Sequence, residues 1–138
     1  MLAQIVPDNA FVDIRQGTFM HDDDTLYSAA FIYAPGDYDA RFHDLNARID
    51  AAAQATPGYL GREAWRSVDG NTANVTYYWK SLDALTQFST HPDHVVAKRE
   101  YARWYQGYHI VVAQVLRSYG DGRIAHITPN RRSDKATP

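Results

Sequence analysis

The chain has no cysteine among its 138 residues. Disulfide bonds, thiolate nucleophiles and cysteine-ligated zinc or iron–sulfur sites are therefore excluded. Net charge is also low, with a formal value of -2 at pH 7, and no basic patch indicates binding to nucleic acid. No apolar stretch has the length of a membrane span, and the first residues lack the features of a secretory signal. We expect a cytoplasmic protein that binds neither nucleic acid nor a membrane.

Aromatic residues are abundant by contrast, with Tyr at 10, Trp at 3 and Phe at 5. Tyr and Trp join a large apolar ring to a polar group, so they suit interfaces and pockets as well as cores. Hydrophobic residues make up 45% of the chain, and its length suits one domain that needs no disulfide or metal to stabilise its core. We expect a globular protein with an aromatic interior.

The first half of the chain predicts a strand followed by a helix. Residues 26–34 are apolar on both faces, as in a central strand that is covered on both sides. Apolar residues then recur at helical spacing, with Asp37 as the predicted N-cap. Pro57 and Gly58 end this helix, since Pro cannot continue it and Gly permits the exit turn.

A hairpin follows, in which strands 59–67 and 72–80 pair antiparallel through the tight Asp69-Gly70 turn. In the second of these strands one face is apolar and the other is mixed, because apolar and polar residues alternate. Ser81 is placed to cap the next helix.

The second helix is interrupted at His91-Pro92, where we expect a kink or a restart. It then continues to about Gly107. Residues 109–119 form the last predicted strand, which is apolar on both faces. Residues 1–24 are interpreted as an N-terminal extension, and residues 120–138 as an extended arm or a disordered tail.

The predicted order of residues 25–119 is therefore β-α-β-β-α-β, which is a ferredoxin-like α+β domain. The right-handed crossover rule places both helices on one face of a four-stranded sheet. The other face carries apolar residues and needs a cover, so we expect it to meet a second copy in a twofold homodimer.

Several segments resemble a known family. They are Pro57-Gly58-Tyr59-Leu60-Gly61, Val75-Thr76-Tyr77-Tyr78-Trp79-Lys80-Ser81, His91-Pro92-Asp93-His94 and Trp104-Tyr105. With these segments the chain resembles the antibiotic-biosynthesis-monooxygenase domain of the dimeric α/β-barrel superfamily. The resemblance implies an α/β barrel formed by two sheets. It also implies an oxidoreductase, because the superfamily includes cofactor-free monooxygenases of aromatic polyketides, heme-degrading monooxygenases and heme-dependent dehydratases.

In that superfamily the ligand cavity lies between the helices and the sheet of each subunit. The resemblance implies that a small substrate would contact a set of aromatic residues there. This set is Phe31, Tyr33, Trp65, Tyr77, Tyr78, Phe88, Trp104 and Tyr105. Only one face of each strand can line the cavity.

His91 and His94 are the candidate catalytic residues. Three positions apart, they share a helix face if one helix runs through both, and a neutral imidazole can act as a base. The structural alternative is that His91 begins a helix with Pro92 in its first turn, and that His94 has no chemical role. In the leading interpretation a base makes the anion of an aromatic or polyketide-like substrate, which dioxygen then oxidises without a cofactor.

Two alternatives remain open. A heme enzyme would use His94 or His91 as the axial ligand. The pattern differs from that of the heme-degrading relatives, because Phe88 stands where they have Trp, Lys98 stands near their axial His, and the first strand has no Asn. No third ligand accompanies the two histidines, so no metal site is predicted. The other alternative is a module that binds a small molecule without catalysis.

Overall fold

The computed structural model describes residues 11–14 and 25–132. These residues form one five-stranded antiparallel sheet with helices on one face. The strands are β1 (Phe11–Ile14), β2 (Leu26–Pro35), β3 (Tyr59–Arg66), β4 (Ala73–Trp79) and β5 (Tyr105–Val115). The helices are α1 (Ala40–Ala55), α2 (Leu82–Ser89) and α3 (Pro92–Glu100), with a 3-10 turn at Tyr101–Arg103.

The order of strands across the sheet is β1-β3-β4-β2-β5. Without β1, this is the order of the ferredoxin-like fold, so the predicted fold class is confirmed. β1 adds an edge strand beside β3 within the predicted N-terminal extension. The rest of that extension and positions 133–138 lie outside the described residues, and the division at residues 24 and 119 stays a prediction. None of the described helices is long and apolar enough to cross a bilayer.

Helix α1 begins with a side-chain cap. Oδ1 of Asp39 accepts a hydrogen bond from the backbone N–H of Phe42 at 2.9 Å. The predicted cap, Asp37, is therefore wrong by two positions. The ring of Tyr38 stacks on that of Phe42 with centroids 4.0 Å apart, and this contact fixes the entry of the chain into the helix at residue 39.

The second helical region is divided in two, as predicted. Oγ of Ser81 accepts from the N–H of Ala84 at 3.0 Å and caps α2. His91 caps α3, with Pro92 at the first helical position.

The predicted continuation of this helix to Gly107 is wrong. The backbone N–H of Gly36 donates to the carbonyl of Trp104 at 2.7 Å, and Tyr105 already pairs with Pro35 at the start of β5. Residues from Tyr105 onward therefore form a strand because they hydrogen-bond to β2. Trp104 and Tyr105 are both buried, so their pattern does not distinguish a helix from a strand.

The main core lies between the sheet and the helices. Its largest fully buried side chains are Phe31, Tyr33, Phe42, Leu45, Ile49, Val75, Tyr77, Trp79, Phe88, His94 and Trp104. Burial of one large apolar side chain contributes about 1.5–3 kcal/mol. The predicted alternation in β4 is confirmed, because Val75, Tyr77 and Trp79 all lie on this face.

The opposite face of the sheet is divided into two parts. At one end, Leu26, Leu60 and Tyr78 pack with Val115 and Ile127, the latter from the irregular segment after β5. This segment, residues 116–132, is called the arm below. It contains no helix or strand.

The other part of this face is exposed. One cross-strand row there consists of Trp65, Asn74, Ile32 and His109. The next row contains Val111. The prediction that β5 is buried on both faces is wrong for the single chain, because Val111 and its neighbours are exposed. β5 is an edge strand that the helices do not cover.

Candidate functional site

His94 lies on α3 and is completely buried between the helices and the sheet. Its ring meets the ring of Phe88 edge to face, with centroids 4.9 Å apart. Neither Nδ1 nor Nε2 has a hydrogen-bond partner within residues 25–132. A buried polar group that lacks a partner costs about 1–3 kcal/mol, so its presence calls for an explanation.

Burial lowers the pKa of His94 from 6.5 to about 2, and the positive charge of Lys98 lowers it further. The imidazole is therefore neutral at any physiological pH. A neutral imidazole has one donor and one acceptor nitrogen. His94 thus offers both kinds of hydrogen bond inside an aromatic core.

His91 occupies a different environment, since it is partly exposed and caps α3. Its Nδ1 accepts from the backbone N–H of Asp93 at 3.2 Å, and the Asp93 carboxylate lies 3.9 Å away. Because Nδ1 accepts a hydrogen bond, the ring proton of neutral His91 is on Nε2. The two predicted catalytic residues therefore do not share one helix face.

Six of the eight predicted substrate-binding residues lie on the same face of the sheet as His94. They are Phe31, Tyr33, Tyr77, Phe88, Trp104 and Tyr105. The ring of Phe88 is next to His94 and lies 5.7 Å from that of Tyr77. Phe31 and Tyr33 stack at 5.2 Å, and Tyr105 meets both rings edge to face. Trp104 is buried beside Phe42.

The structure does not bring the other two, Trp65 and Tyr78, to His94. Successive side chains of a strand alternate between faces, and both residues point to the face without helices. Trp65 is 50% exposed there. The hydroxyl of Tyr78 donates to Oε1 of Glu63 at 2.8 Å.

Trp79 is absent from the predicted substrate-binding set, although it shares the core with His94. Its indole ring lies 5.2 Å from that of Phe88. The indole Nε1 is buried and has no partner among the described residues. The signal for it was present, because Trp79 has the same strand parity as Tyr77.

Tyr38 was missed as well. Its hydroxyl is buried and lacks a partner within the described part of the chain. Burial raises its pKa to about 12, while the charge of Arg66 opposes this rise. Its helical spacing from Phe42 places it on the buried stripe of the first helix, but nothing in the sequence marks it as a site residue.

No three His, Asp or Glu side chains converge as a metal site within residues 11–14 and 25–132. An open cleft of about 290 Å³ is lined by residues 54–59 and Lys80 at the end of α1. It contains neither His91 nor His94.

The two histidines do not fit an axial heme ligand. A ligating His almost always donates its second ring N–H to an acceptor, and His94 has no such acceptor among residues 25–132. In neutral His91 the proton is on Nε2, so the lone pair that iron requires is absent from that atom.

Comparison with known proteins gives one family match. The family model described as Monooxygenase af470-like matches residues 37–113. The uncharacterized protein YqjZ of Bacillus subtilis (strain 168) is 33% identical over 92 residues, which are 66% of this chain and 80% of YqjZ. Residues 37–113, which the family model matches, run from before α1 into β5 and contain both histidines.

Solved structures show the same fold at low identity. SnoaB, a cofactor-independent oxygenase from Streptomyces nogalater, is 16% identical with a TM-score of 0.54, covering 69% of this chain and 96% of SnoaB. Rv0793 from Mycobacterium tuberculosis is 13% identical with a TM-score of 0.54, covering 70% of this chain and 98% of Rv0793. Both likenesses concern the sheet and its helices.

Proposed function

Because the chain belongs to the Monooxygenase af470-like family, we propose that it is a monooxygenase that oxidises a small, electron-rich aromatic molecule of the polyketide type. The observation that carries this proposal is the buried, neutral imidazole of His94, which has no hydrogen-bond partner among residues 25–132. SnoaB, which has the same fold, is a cofactor-independent oxygenase. In our proposal the chain likewise requires no cofactor.

His94 is the base in this proposal. An electron-rich aromatic substrate transfers a proton to the acceptor nitrogen of His94, and the substrate becomes an anion that reacts with dioxygen. The interior disfavours an isolated imidazolium, as the low pKa shows. The substrate anion is the missing counter-charge, so the two charges form together as an ion pair in a site that excludes water.

The overall reaction balances without an external reductant. An anthrone, for example, has a CH₂ group opposite its carbonyl. Loss of a proton gives the enolate, dioxygen adds to the carbanion carbon, and the resulting hydroperoxide loses water to give the quinone. One oxygen atom enters the substrate and the other leaves as water, so the substrate is the only reductant.

Aromatic side chains around His94 hold the ring system in this proposal. Phe88, Tyr77 and Trp79 supply flat apolar surfaces, on which aromatic rings pack with offset or edge-to-face geometry. The indole N–H of Trp79, which has no partner in the described part of the chain, is available to a carbonyl oxygen of the substrate. These residues orient the substrate, and His94 acts on its proton.

Access to His94 requires α3 to move, since the side chain is fully enclosed. The polar contacts of the helix are those of Lys98 Nζ with the carbonyl of Ser89 at 2.9 Å, of Arg48 with Asp93 at 3.6 Å, and a bidentate pair between Arg41 and Glu100. Single exposed contacts contribute about 0–1 kcal/mol each, and the bidentate pair is the strongest of the three. The break at His91 separates α3 from α2 and serves as the hinge.

The functional unit in this proposal is a homodimer. Ile32, Trp65 and Val111 are large apolar side chains exposed on the face without helices. Several large apolar side chains exposed on one face are typical of an interface. A second copy placed on this face would cover the patch and form the α/β barrel that the family resemblance implies.

The test uses 1,8-dihydroxyanthrone as the probe, with oxygen consumption and quinone absorbance as readouts. We expect wild-type protein to convert it and His94→Gln to lose turnover by about 10²-fold or more, because general base catalysis contributes about 10²–10⁴-fold. His91→Asn is the matched control. Asn is a good N-cap, so this variant keeps α3 in place and retains activity.

Three results would contradict the proposal. Unchanged turnover in His94→Gln would remove the base assignment. Binding of the anthrone without oxygen consumption in the wild type would indicate a binding module. A Soret band in purified protein that is lost in the histidine variant would establish the heme alternative.

A further inference from the structure

A second polar cluster lies on the face of the sheet opposite His94. Four hydrogen bonds between side chains form it, and one of them, between His126 and Glu63, joins the arm to the sheet. Oγ of Ser118 and Oγ1 of Thr128 are 2.5 Å apart, and Thr128 Oγ1 is 2.8 Å from Nδ1 of His126. Nε2 of His126 is 2.6 Å from Oε2 of Glu63, whose Oε1 accepts from Tyr78. The cluster is separate from the proposed oxygenase site.

The direction of every bond in this cluster follows from one backbone group. The N–H of Thr128 can only donate, and it points at Nδ1 of His126 at 3.1 Å. Nδ1 is therefore an acceptor, and the ring proton is on Nε2, which donates to Glu63. The Thr128 hydroxyl then donates to Nδ1, and Ser118 donates to Thr128.

These directions give a hydroxyl, an imidazole and a carboxylate in sequence. A base oriented by a third group next to a hydroxyl is the arrangement that activates a nucleophile. Thr128 is 7% exposed and lies between the imidazole and Ser118. Ser118 ends this row of hydrogen bonds and is only partly buried. Its position is fixed because the N–H of Arg131 donates to the Ser118 carbonyl at 2.9 Å.

We propose that Ser118 is a base-activated nucleophile that accepts an acyl group from an activated ester. Oγ of Ser118 forms a bond to the acyl carbon while its proton passes to Thr128, and the Thr128 proton passes to Nδ1 of His126. The bond from the acyl carbon to the leaving oxygen breaks, and the leaving group departs as an anion. Glu63 stabilises the imidazolium, which returns its proton to the leaving group. Atoms and charge balance, and no oxidant is involved.

The test is acylation of the full chain by p-nitrophenyl acetate, followed by release of p-nitrophenolate and by peptide mass spectrometry. Ser67 is a matched internal control. Its Oγ donates to Oδ1 of Asp69 at 2.7 Å, so it has a carboxylate partner but no imidazole. We expect an acetyl group on Ser118, formed about 10²-fold faster than on Ser67, because a positioned base contributes about 10²–10⁴-fold.

His126→Asn separates activation from simple support of the arm. The Asn side-chain oxygen can still accept from the N–H of Thr128, so the turn is kept while the base is lost. We expect acylation of Ser118 to fall to the rate of Ser67 in this variant, and Ser118→Ala to abolish the adduct. Anthrone oxidation stays unchanged in both.

Two results would overturn the proposal. One is a Ser118 acylation rate in His126→Asn equal to that of the wild type. The other is an adduct found only on lysines or on Thr128. Either result would leave the cluster as a contact that attaches the arm to the sheet.

Discussion

The indole Nε1 of Trp104 donates to Oδ1 of Asp39 at 3.0 Å, and the same oxygen accepts the backbone N–H of Phe42. One carboxylate therefore joins the start of α1 to the turn before β5. These bonds keep the pKa of Asp39 below its ordinary value, first through the N–H of Phe42, then through Trp104 and the charge of Arg103. Asp39 is thus both a helix cap and a tertiary contact.

Substitution of Asp39 should lower the thermal stability of the protein. Asp39→Ala removes the cap and the acceptor of a buried indole N–H, so we expect the Tm to fall by several degrees in circular dichroism. Asp39→Asn keeps one acceptor oxygen and should lose less. Asp44→Ala is the control, because Asp44 only forms an exposed pair with Arg48 at 3.4 Å. Equal losses for Asp39→Ala and Asp44→Ala would disprove the dual role.

Gly36 should not tolerate a side chain. A Cβ at this position would lie 2.6 Å from the carbonyl oxygen of Trp104, which is rigid backbone. The same carbonyl accepts the N–H of Gly36, so relief of the clash would break that bond. We expect Gly36→Ala to destabilise the protein by about 1–3 kcal/mol in urea unfolding. Gly107→Ala meets nothing within 4 Å and should be close to neutral, and similar losses in both would contradict this explanation.

The stability of the chain should depend on pH through His94. Its pKa is 6.5 when unfolded and about 2 when folded, so the unfolded chain binds one more proton between these values. The contribution of His94 to the free energy of unfolding is then complete above pH 6.5, and it falls by about 1.4 kcal/mol per pH unit below that value. His94→Leu should lose this component of the slope between pH 7 and pH 5, whereas His91→Asn should keep it. Parallel curves for His94→Leu and wild type would show that His94 is not buried in solution.

Trp65 should matter for assembly rather than for folding. A charge placed at position 65, at the β3 end of the exposed row, would be buried in the proposed dimer, so we expect Trp65→Glu to be monomeric in sedimentation velocity while remaining folded. Val68→Glu is the control, since it adds the same charge at a more accessible position in the hairpin turn. If both variants sediment like the wild type, the interface lies elsewhere.

The ferredoxin-like order of strands and helices was predictable because the hydrophobic periodicity agrees with the turn and cap residues along most of the chain. Alternation in β4, the Asp69-Gly70 turn and the Ser81 cap each indicate one local structure. The exceptions have tertiary causes. Tyr105 joins β5 because the edge of β2 is available to it, and α1 starts at Asp39 because Tyr38 packs on Phe42.

The site was predictable in composition and less so in arrangement. The spacing of His91 and His94, three positions apart, does not distinguish their environments. The cap hydrogen bond that His91 makes is visible only in the structure. Trp65 and Tyr78 were grouped with the pocket because the family resemblance does not fix strand parity. The Ser118 cluster left no local pattern, since Glu63 and His126 meet only after the arm folds back over the sheet.

The two edges of the sheet are unequal. β5 has 11 residues and pairs only with β2 among the described strands, whereas β1 has 4 residues. A long edge with unpaired backbone groups can accept another strand, and a very short one is a poor template. A second copy that paired along β5 would use the same edge on each side, and this pairing would leave no free β5 edge for a third copy.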